Sequence, residues 1–381
     1  MRDALISRAR STTWRVWAAP GPAARPVGQA VGPCASRARP NTDATSIGVR
    51  PIPRPKHTSP RPEADDLRAS PIRERVLVTG ALGCVGAWTL KAALDAGDDA
   101  FGFDLGDRTQ RLDLVLTPAE QERITLIQGD ITDLDGLGRV LDEHGITRVV
   151  HLAALQVPFC RADPALGARV NVVGTVNLFE AVKQRLNRIP GVAYASSAAV
   201  YGPDDSSPAP ESGGAAPATF YGVTKQTNEE TARLYWAESH VPSFGIRPYV
   251  VYGPGRDQGM TSAPTLAMEA AARGEGCEIA YGGDAQYDYA PTVGVAFHRA
   301  ASVREGAVVA NFPGVPASMA EVVAAIEAAA PEVEGRISWI ESPLPFPAEL
   351  EATALERALG PLRAPALADG VHETIERFRR S

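Results

Sequence analysis

Arg75-Val76-Leu77-Val78-Thr79-Gly80-Ala81-Leu82-Gly83-Cys84-Val85-Gly86 is the stretch on which the fold turns. An apolar run of this length, bounded by glycine, has the pattern of a central parallel strand over Arg75–Thr79. The apolar residues that follow predict a helix from Ala87 to Ala96. Between the two, Gly80 lets the chain turn off the strand, Gly83 keeps a side chain out of the way of a pyrophosphate, and Gly86 allows close helix–strand packing. The helix N-terminus then offers free N–H groups to phosphate. The spacing is GxxGxxG, and glycines alone are a weak signal. A second strand, Asp99–Phe103, follows at βαβ distance and ends in Asp104, eighteen residues beyond Gly86. A carboxylate at that place can accept hydrogen bonds from ribose hydroxyls. The reading is a dinucleotide site.

The remaining 1–70 are different material. They carry 12 Lys+Arg against 5 Asp+Glu, are rich in Pro, Ala and Ser, and show no apolar period, which predicts a disordered, low-complexity extension. The Arg-rich start also has the composition of a targeting peptide, although Pro20, Pro22 and Pro26 interrupt it. The rest of the chain holds 26 Lys+Arg against 40 Asp+Glu, an acidic balance that argues against nucleic acid as partner. No apolar run approaches the ~20 residues of a membrane span, so no membrane partner and a cytoplasmic location are expected. Cys34, Cys84, Cys160 and Cys277 lie far apart without metal spacing and read as reduced thiols, with no metal site.

Beyond Asp104, apolar strands recur at Ile124–Gln128, Arg148–Leu152, Val192–Ser196 and Ser243–Arg247. Helical patterns separate them at Asp133–Glu143, Leu166–Gln184 and Phe220–Ser239. This alternation predicts an α/β fold, a doubly wound parallel sheet covered on both faces. Ligands of such sheets bind beyond the carboxyl ends of the strands. There stand Gly129-Asp130, with a carboxylate able to receive an adenine amino group or to cap a helix, and Ala153-Ala154, small enough for close approach of a cofactor. His151 reads as a satisfied core histidine. Ser197 ends the fifth strand, and Tyr221 and Lys225 stand four apart on one helical face. A tyrosine is a poor base at neutral pH; a neighbouring ammonium and the positive charge of an oxidised nicotinamide favour its phenolate. Ser197 can steady the oxygen from which the proton leaves.

With these pieces in order, the chain resembles an extended short-chain dehydrogenase/reductase of the NAD-dependent epimerase/dehydratase family. The likeness rests on Thr79–Gly86, Gly129-Asp130, His151–Ala154, Asn171–Thr175, Ser196-Ser197, Tyr221–Lys225, Arg247-Pro248 and Tyr252-Gly253-Pro254, and spans roughly 73 to 300. It implies a Rossmann-type domain over 72–252 and a smaller C-terminal substrate-binding lobe, mainly 253–381, some of whose segments return to the first domain. It implies an enzyme that binds NAD through Gly80, Leu82, Gly83, Cys84, Val85, Gly86, Asp104, Asp130, Ile131, Leu152, Ala153, Ala154, Tyr221 and Lys225. Ser197, Tyr221 and Lys225 would be catalytic, and Asn171 structural. Gln156, Ser197 and Arg256 would touch a carbohydrate substrate. Members are commonly homodimers through the helices at about 166–184 and 220–239.

The departures narrow the reading. Dehydratases and decarboxylases of the family place carboxylates after the catalytic Ser/Thr, where this chain has Ala198 and Ala199. Nucleotide-sugar members carry an asparagine where Val250 stands, and an arginine within the segment here reading Gly282–Tyr289, which has none. The expectation is hydride transfer on a carbohydrate, as epimerase or dehydrogenase, with dehydration and decarboxylation disfavoured. The alternative is a non-catalytic NAD-sensing module, against which retention of Ser197, Tyr221 and Lys225 counts.

Overall fold

A computed structural model describes residues 73–214 and 216–381. The low-complexity extension expected over 1–70 lies outside the described residues. Twelve strands occur in the described chain: β1 Arg75–Thr79, β2 Asp99–Asp104, β3 Ile124–Gln128, β4 Arg148–His151, β5 Val192–Ala195, β6 Ser243–Arg247, β7 Val250–Tyr252, β8 Cys277–Ile279, β9 Asp284–Tyr289, β10 Ala307–Asn311, β11 Val315–Ser318 and β12 Ile337–Trp339. Seven of them form one sheet in the order β10-β6-β5-β4-β1-β2-β3, and every pairing in it is parallel. The order reverses between β1 and β4, which opens a crevice at their carboxyl ends. This is the doubly wound, Rossmann-type fold.

Alternation along β1 builds both faces. Val76 and Val78 enter one core with Trp88, Leu90, Val293 and Phe297, from helices Cys84–Asp95 and Ala290–Ala300. Leu77 enters the other with Leu137, Leu141, Phe179 and Val182, from helices Leu134–Glu143 and Gly174–Lys183. Each fully buried side chain of this size contributes about 1.5–3 kcal/mol. A third core gathers around the smaller β11-β9-β7 and β12-β8 sheets, with Met268 of helix Ala263–Ala272 and Val322 and Ile326 of helix Met319–Ala329. Ser318 and Glu321 close a capping box at the start of helix Met319–Ala329. The seventh strand of the main sheet, β10, and helix Ala290–Ala300 are contributed from beyond residue 253. Among the described residues, no helix is long and apolar enough to cross a membrane.

Two expected elements are drawn differently. The first helix begins at Cys84, with Gly83 as its N-cap, so the glycine loop runs directly into helical turns. The single helix expected over Leu166–Gln184 is broken into Pro164–Ala168, a π-helical turn Arg169–Val173, and Gly174–Lys183. Inside that wide turn the Asn171 side chain accepts from Leu155 N (2.7 Å) and donates to Leu155 O (2.9 Å) and Thr224 Oγ1 (3.1 Å). An amide so engaged by a neighbouring loop and helix holds the turn open.

Helix Phe220–Ser239 is locked to the sheet by a buried ion pair. Arg247 of β6 donates through Nε (2.7 Å) and Nη2 (2.6 Å) to the two carboxylate oxygens of Glu229, and the side chains are 5% and 9% exposed. Removing one member leaves the other charge buried and unpaired. Glu229→Ala is expected to cost about 3–5 kcal/mol in chemical denaturation, whereas the doubly apolar Glu229→Leu/Arg247→Met should recover most of that loss.

Candidate active site

The site assembles at the carboxyl ends of β1, β4 and β5. Gly80 has φ +70°, and a Cβ there would lie 2.7 Å from Ala153 N, so the turn off β1 is open only to glycine. Around Gly83 the picture differs: a Cβ would meet only Gly80 O at 3.1 Å. The protein itself leaves that space free. Helix Cys84–Asp95 has no side-chain cap and no acidic residue in its first turn, so its leading N–H groups face that space without internal competition. Asp104 is partly buried at the end of β2; its carboxylate accepts from Leu82 N (3.0 Å) and Gly106 N (3.2 Å). These features fit a dinucleotide, with pyrophosphate on the glycine turn and ribose beside Asp104.

Other expected cofactor residues are placed as follows. Asp130 is exposed and spends one carboxylate oxygen on Thr132, accepting from its N (2.9 Å) and Oγ1 (2.8 Å). Ile131 is buried, packed where a Cβ on Gly174 would lie 2.7 Å from it. Leu152 and Ala153 both donate from their N–H groups to Thr79 Oγ1 (3.3 Å each); Ala154 follows in the same half-buried loop. His151 is satisfied on both nitrogens, by Thr79 Oγ1 (2.8 Å) and Thr175 Oγ1 (3.0 Å). Burial, aided by the Lys225 charge, pulls its pKa down to about 3.

Ser197, Tyr221 and Lys225 are brought together. Ser197 is extended and accepts from Ala199 N at 3.1 Å. Helix Phe220–Ser239 starts at Thr219, whose hydroxyl accepts from Gly222 N (2.9 Å). A Cβ on Gly222 would lie 2.0 Å from Ala199 O, so glycine lets the first helical turn close onto the Ser197–Ala199 segment. Lys225 is 4% exposed; its Nζ donates to Ala195 O at 2.7 Å and lies 5.5 Å from the centre of the Tyr221 ring. Burial pulls the Lys225 pKa down to about 8, against the opposing effects of Cys160 and Glu229. Burial likewise pushes the Tyr221 phenol up to about 12, with Ser197 and the Arg256 charge acting the other way. Within the protein alone desolvation dominates at Tyr221, and the Lys225 ammonium over the ring is already held by a carbonyl.

Gln156 and Arg256 also meet, at Gly259: a Cβ there would lie 2.3 Å from Gln156 Oε1 and 3.1 Å from Arg256 Nη2. Arg111 was not singled out by the sequence. Its Nη1 donates to Leu82 O in the glycine turn (2.9 Å), and its Nη2 pairs with Asp257 at 2.7 Å. Trp88 Nε1 donates to Pro254 O (3.0 Å), so residues 254–257 are tied once to the glycine turn, through Arg111, and once to the helix that follows it. Nothing in the local sequence around Arg111 signals this long-range clamp.

Such a sheet, turn and side-chain grouping define an extended short-chain dehydrogenase/reductase. The NAD dependent epimerase/dehydratase family matches residues 76–296, and the chain belongs to that family, with NAD as cofactor. A UDP-glucose 4-epimerase of Mycolicibacterium smegmatis is 31% identical over 320 residues, 80% of this chain and 98% of that protein. A UDP-glucuronate 4-epimerase of Arabidopsis thaliana is 34% identical over 186 residues, 47% of this chain; the match spans 40% of the plant protein's length. The solved UDP-glucose 4-epimerase of Thermotoga maritima, with UDP-glucose, shares the fold with a TM-score of 0.70 at 22% identity, over 80% of this chain and 99% of that one.

The place of Asp104 at the end of β2 gives an expectation about cofactor choice. A 2′-phosphate ~5 Å from its carboxylate would be repelled by ~3 kcal/mol at an effective dielectric of ~20. Arg108 is exposed, and Arg111 is already paired with Asp257. NAD is expected to bind at least tenfold tighter than NADP by calorimetry, and Asp104→Ala to narrow that ratio. Equal binding of both by the unmutated protein would contradict this role for Asp104.

Proposed function

We propose that this chain transfers a hydride at a carbinol carbon of a carbohydrate, with Tyr221 as the acid–base, Ser197 as its hydrogen-bonding partner and Lys225 as its neighbouring cation. The observation that carries the reading is the closure of Tyr221 onto the Ser197–Ala199 segment, enforced by Gly222. When bound, NAD supplies the hydride acceptor and, in its oxidised form, a positive charge. Tyr221 takes the carbinol proton as the alcohol becomes a carbonyl and returns it in the reverse direction. Ser197 donates to the same substrate oxygen, holding it where the proton can move. Lys225, fixed by Ala195 O, keeps an ammonium behind the ring.

Epimerisation and dehydrogenation share this half-reaction, and the similarity to UDP-sugar 4-epimerases supports the first. Elimination of water and loss of carbon dioxide need a further acid or base, and the positions after Ser197 hold the buried methyl groups of Ala198 and Ala199. The reading divides the chain into an NAD-binding domain over 72–252 and a substrate lobe drawn mainly from 253–381. It also includes a homodimer. Leu166 and Val173 on one helical stretch, and Phe220, Val223 and Leu234 on the other, are large apolar residues left exposed, and a second copy laid across both helices would cover them.

Tyr221→Phe tests the assignment. Turnover, followed by nicotinamide absorbance and product stereochemistry on aldoses, uronates and UDP-sugars, should fall by about 10²–10⁴-fold with NAD binding retained. A variant that kept most of its turnover would refute the mechanism, and a native protein that binds NAD but turns over none of these sugars would favour an NAD-sensing module.

A further inference from the structure

We infer that the substrate is a short polyhydroxy carboxylate carrying no nucleotide, with its carboxylate on Arg256 and its hydroxyls on Gln156 and Tyr281. The inference rests on the carbohydrate reading above and names the substrate class. It comes from a group of polar atoms with no work inside the protein. Among the described residues, Gln156 Oε1, Arg256 Nε and the Tyr249 hydroxyl are buried without a hydrogen-bond partner, and the buried Tyr281 and Tyr287 hydroxyls have at most each other. Each such group is costly if nothing meets it, and native structures rarely gather several without a ligand or water to satisfy them. The three tyrosines are at least nine-tenths buried.

These atoms belong to one place. Gln156 Oε1 and Arg256 Nη2 converge on Gly259, and Arg256 Nη2 donates to Thr261 Oγ1 at 3.2 Å. Burial pushes the Tyr281 phenol well up, with Tyr287 and Tyr249 adding to the rise and Arg256 opposing it. The Arg256 charge reaches Tyr221 as well, so this guanidinium is within electrostatic range of both Tyr281 and the proposed acid–base. It is also uncommitted. Among the described residues no carboxylate lies within 4.0 Å of it, whereas its neighbour Asp257 is taken by Arg111, and Arg273 by Glu269 and Glu275. One unpaired cation amid neutral hydroxyl and amide groups matches one carboxylate and several hydroxyls.

A diphosphate is poorly matched by the same surroundings. The strand contributing Tyr287, β9, has no Lys or Arg, and burial pushes its one interior carboxyl, Asp288, toward the neutral form. Asp288 is fully buried; its Oδ2 accepts from Tyr249 N at 2.6 Å, and a Cβ on Gly314 would collide with Oδ1. Of the residues grouped here, only Arg256 carries a positive charge to meet two phosphates.

The experiment measures binding by calorimetry to NAD-loaded Tyr221→Phe protein, so its outcome does not depend on turnover and stands apart from the test of the hydride-transfer reading. The probes are D-glucuronate, D-galacturonate and D-gluconate, against D-glucose, D-galactose, UDP-glucose and UDP-glucuronate. At least one free acid should bind about tenfold or more tighter than both its neutral sugar and the UDP-sugars. Adding Arg256→Gln should weaken that acid by about 10–100-fold, as expected for a hydrogen-bonded charge pair, while leaving neutral sugars and NAD little changed. Arg256→Lys should restore part of the loss. Tighter binding of a UDP-sugar, binding of none of the three acids, or an Arg256→Gln variant that weakens acid and neutral sugar alike would each overturn the proposal.

Discussion

One buried ion pair sets the geometry on which the site depends. Glu229 lies one helical turn beyond Lys225 and is gripped by Arg247 of β6, while Ser196, the residue before Ser197, donates its hydroxyl to the same carboxylate. Helix and strand edge therefore share one carboxylate. Arg247 Nη1 extends the grip to Tyr201 OH (2.7 Å), which also meets Asn311 at the end of β10. A buried pair of this kind contributes little net stability compared with apolar packing, but a shift of the helix by one turn would leave both charges unpaired. Register is what it secures, and with it the approach of Tyr221 to Ser197.

A second network joins the cofactor edge to the same helix, and its direction can be followed. Leu152 and Ala153 donate to Thr79 Oγ1, so the Thr79 hydroxyl hydrogen goes to His151 Nδ1. Thr175 donates to Asn171 O (2.6 Å), so it accepts from His151 Nε2. His151 is thus neutral with its proton on Nε2, in agreement with its low pKa. The Asn171 carbonyl, freed by the π-helical turn, accepts in addition from Asn228 Nδ2 (3.0 Å) on helix Phe220–Ser239. The loop that lines the crevice and the helix that bears Tyr221 and Lys225 are held by one chain of bonds.

How much of this was legible in the sequence follows from the range of the forces involved. The glycine turn, Asp104 and the six leading strands are written in local patterns, and the structure matches those strands to within a residue at each end. Tyr221 and Lys225 were visible because helical spacing alone puts them on one face. The π-helical turn was not, because it is imposed on Asn171 by Leu155 and Thr224, partners distant in sequence. Nor was the Arg111–Asp257 clamp, whose members are 146 residues apart. Asp130 illustrates local bonding: one oxygen of its carboxylate accepts from its own neighbour Thr132. The missing arginine in Gly282–Tyr289 was readable, but the burial of Asp288 there was not.

The central claim is that Tyr221 acts as the acid–base although the protein by itself disfavours its phenolate. Burial holds that phenol up at about 12, and the opposing effects within the chain come from Ser197 and Arg256. The positive charge of oxidised NAD is what the account requires to bring it toward neutrality. The direct measurement is an ultraviolet difference titration of phenolate, native protein minus Tyr221→Phe, with and without saturating NAD. The account predicts one extra phenolate titrating near 12 without NAD and at least two pH units lower with it. A Tyr221 phenolate whose titration NAD leaves unmoved would contradict it.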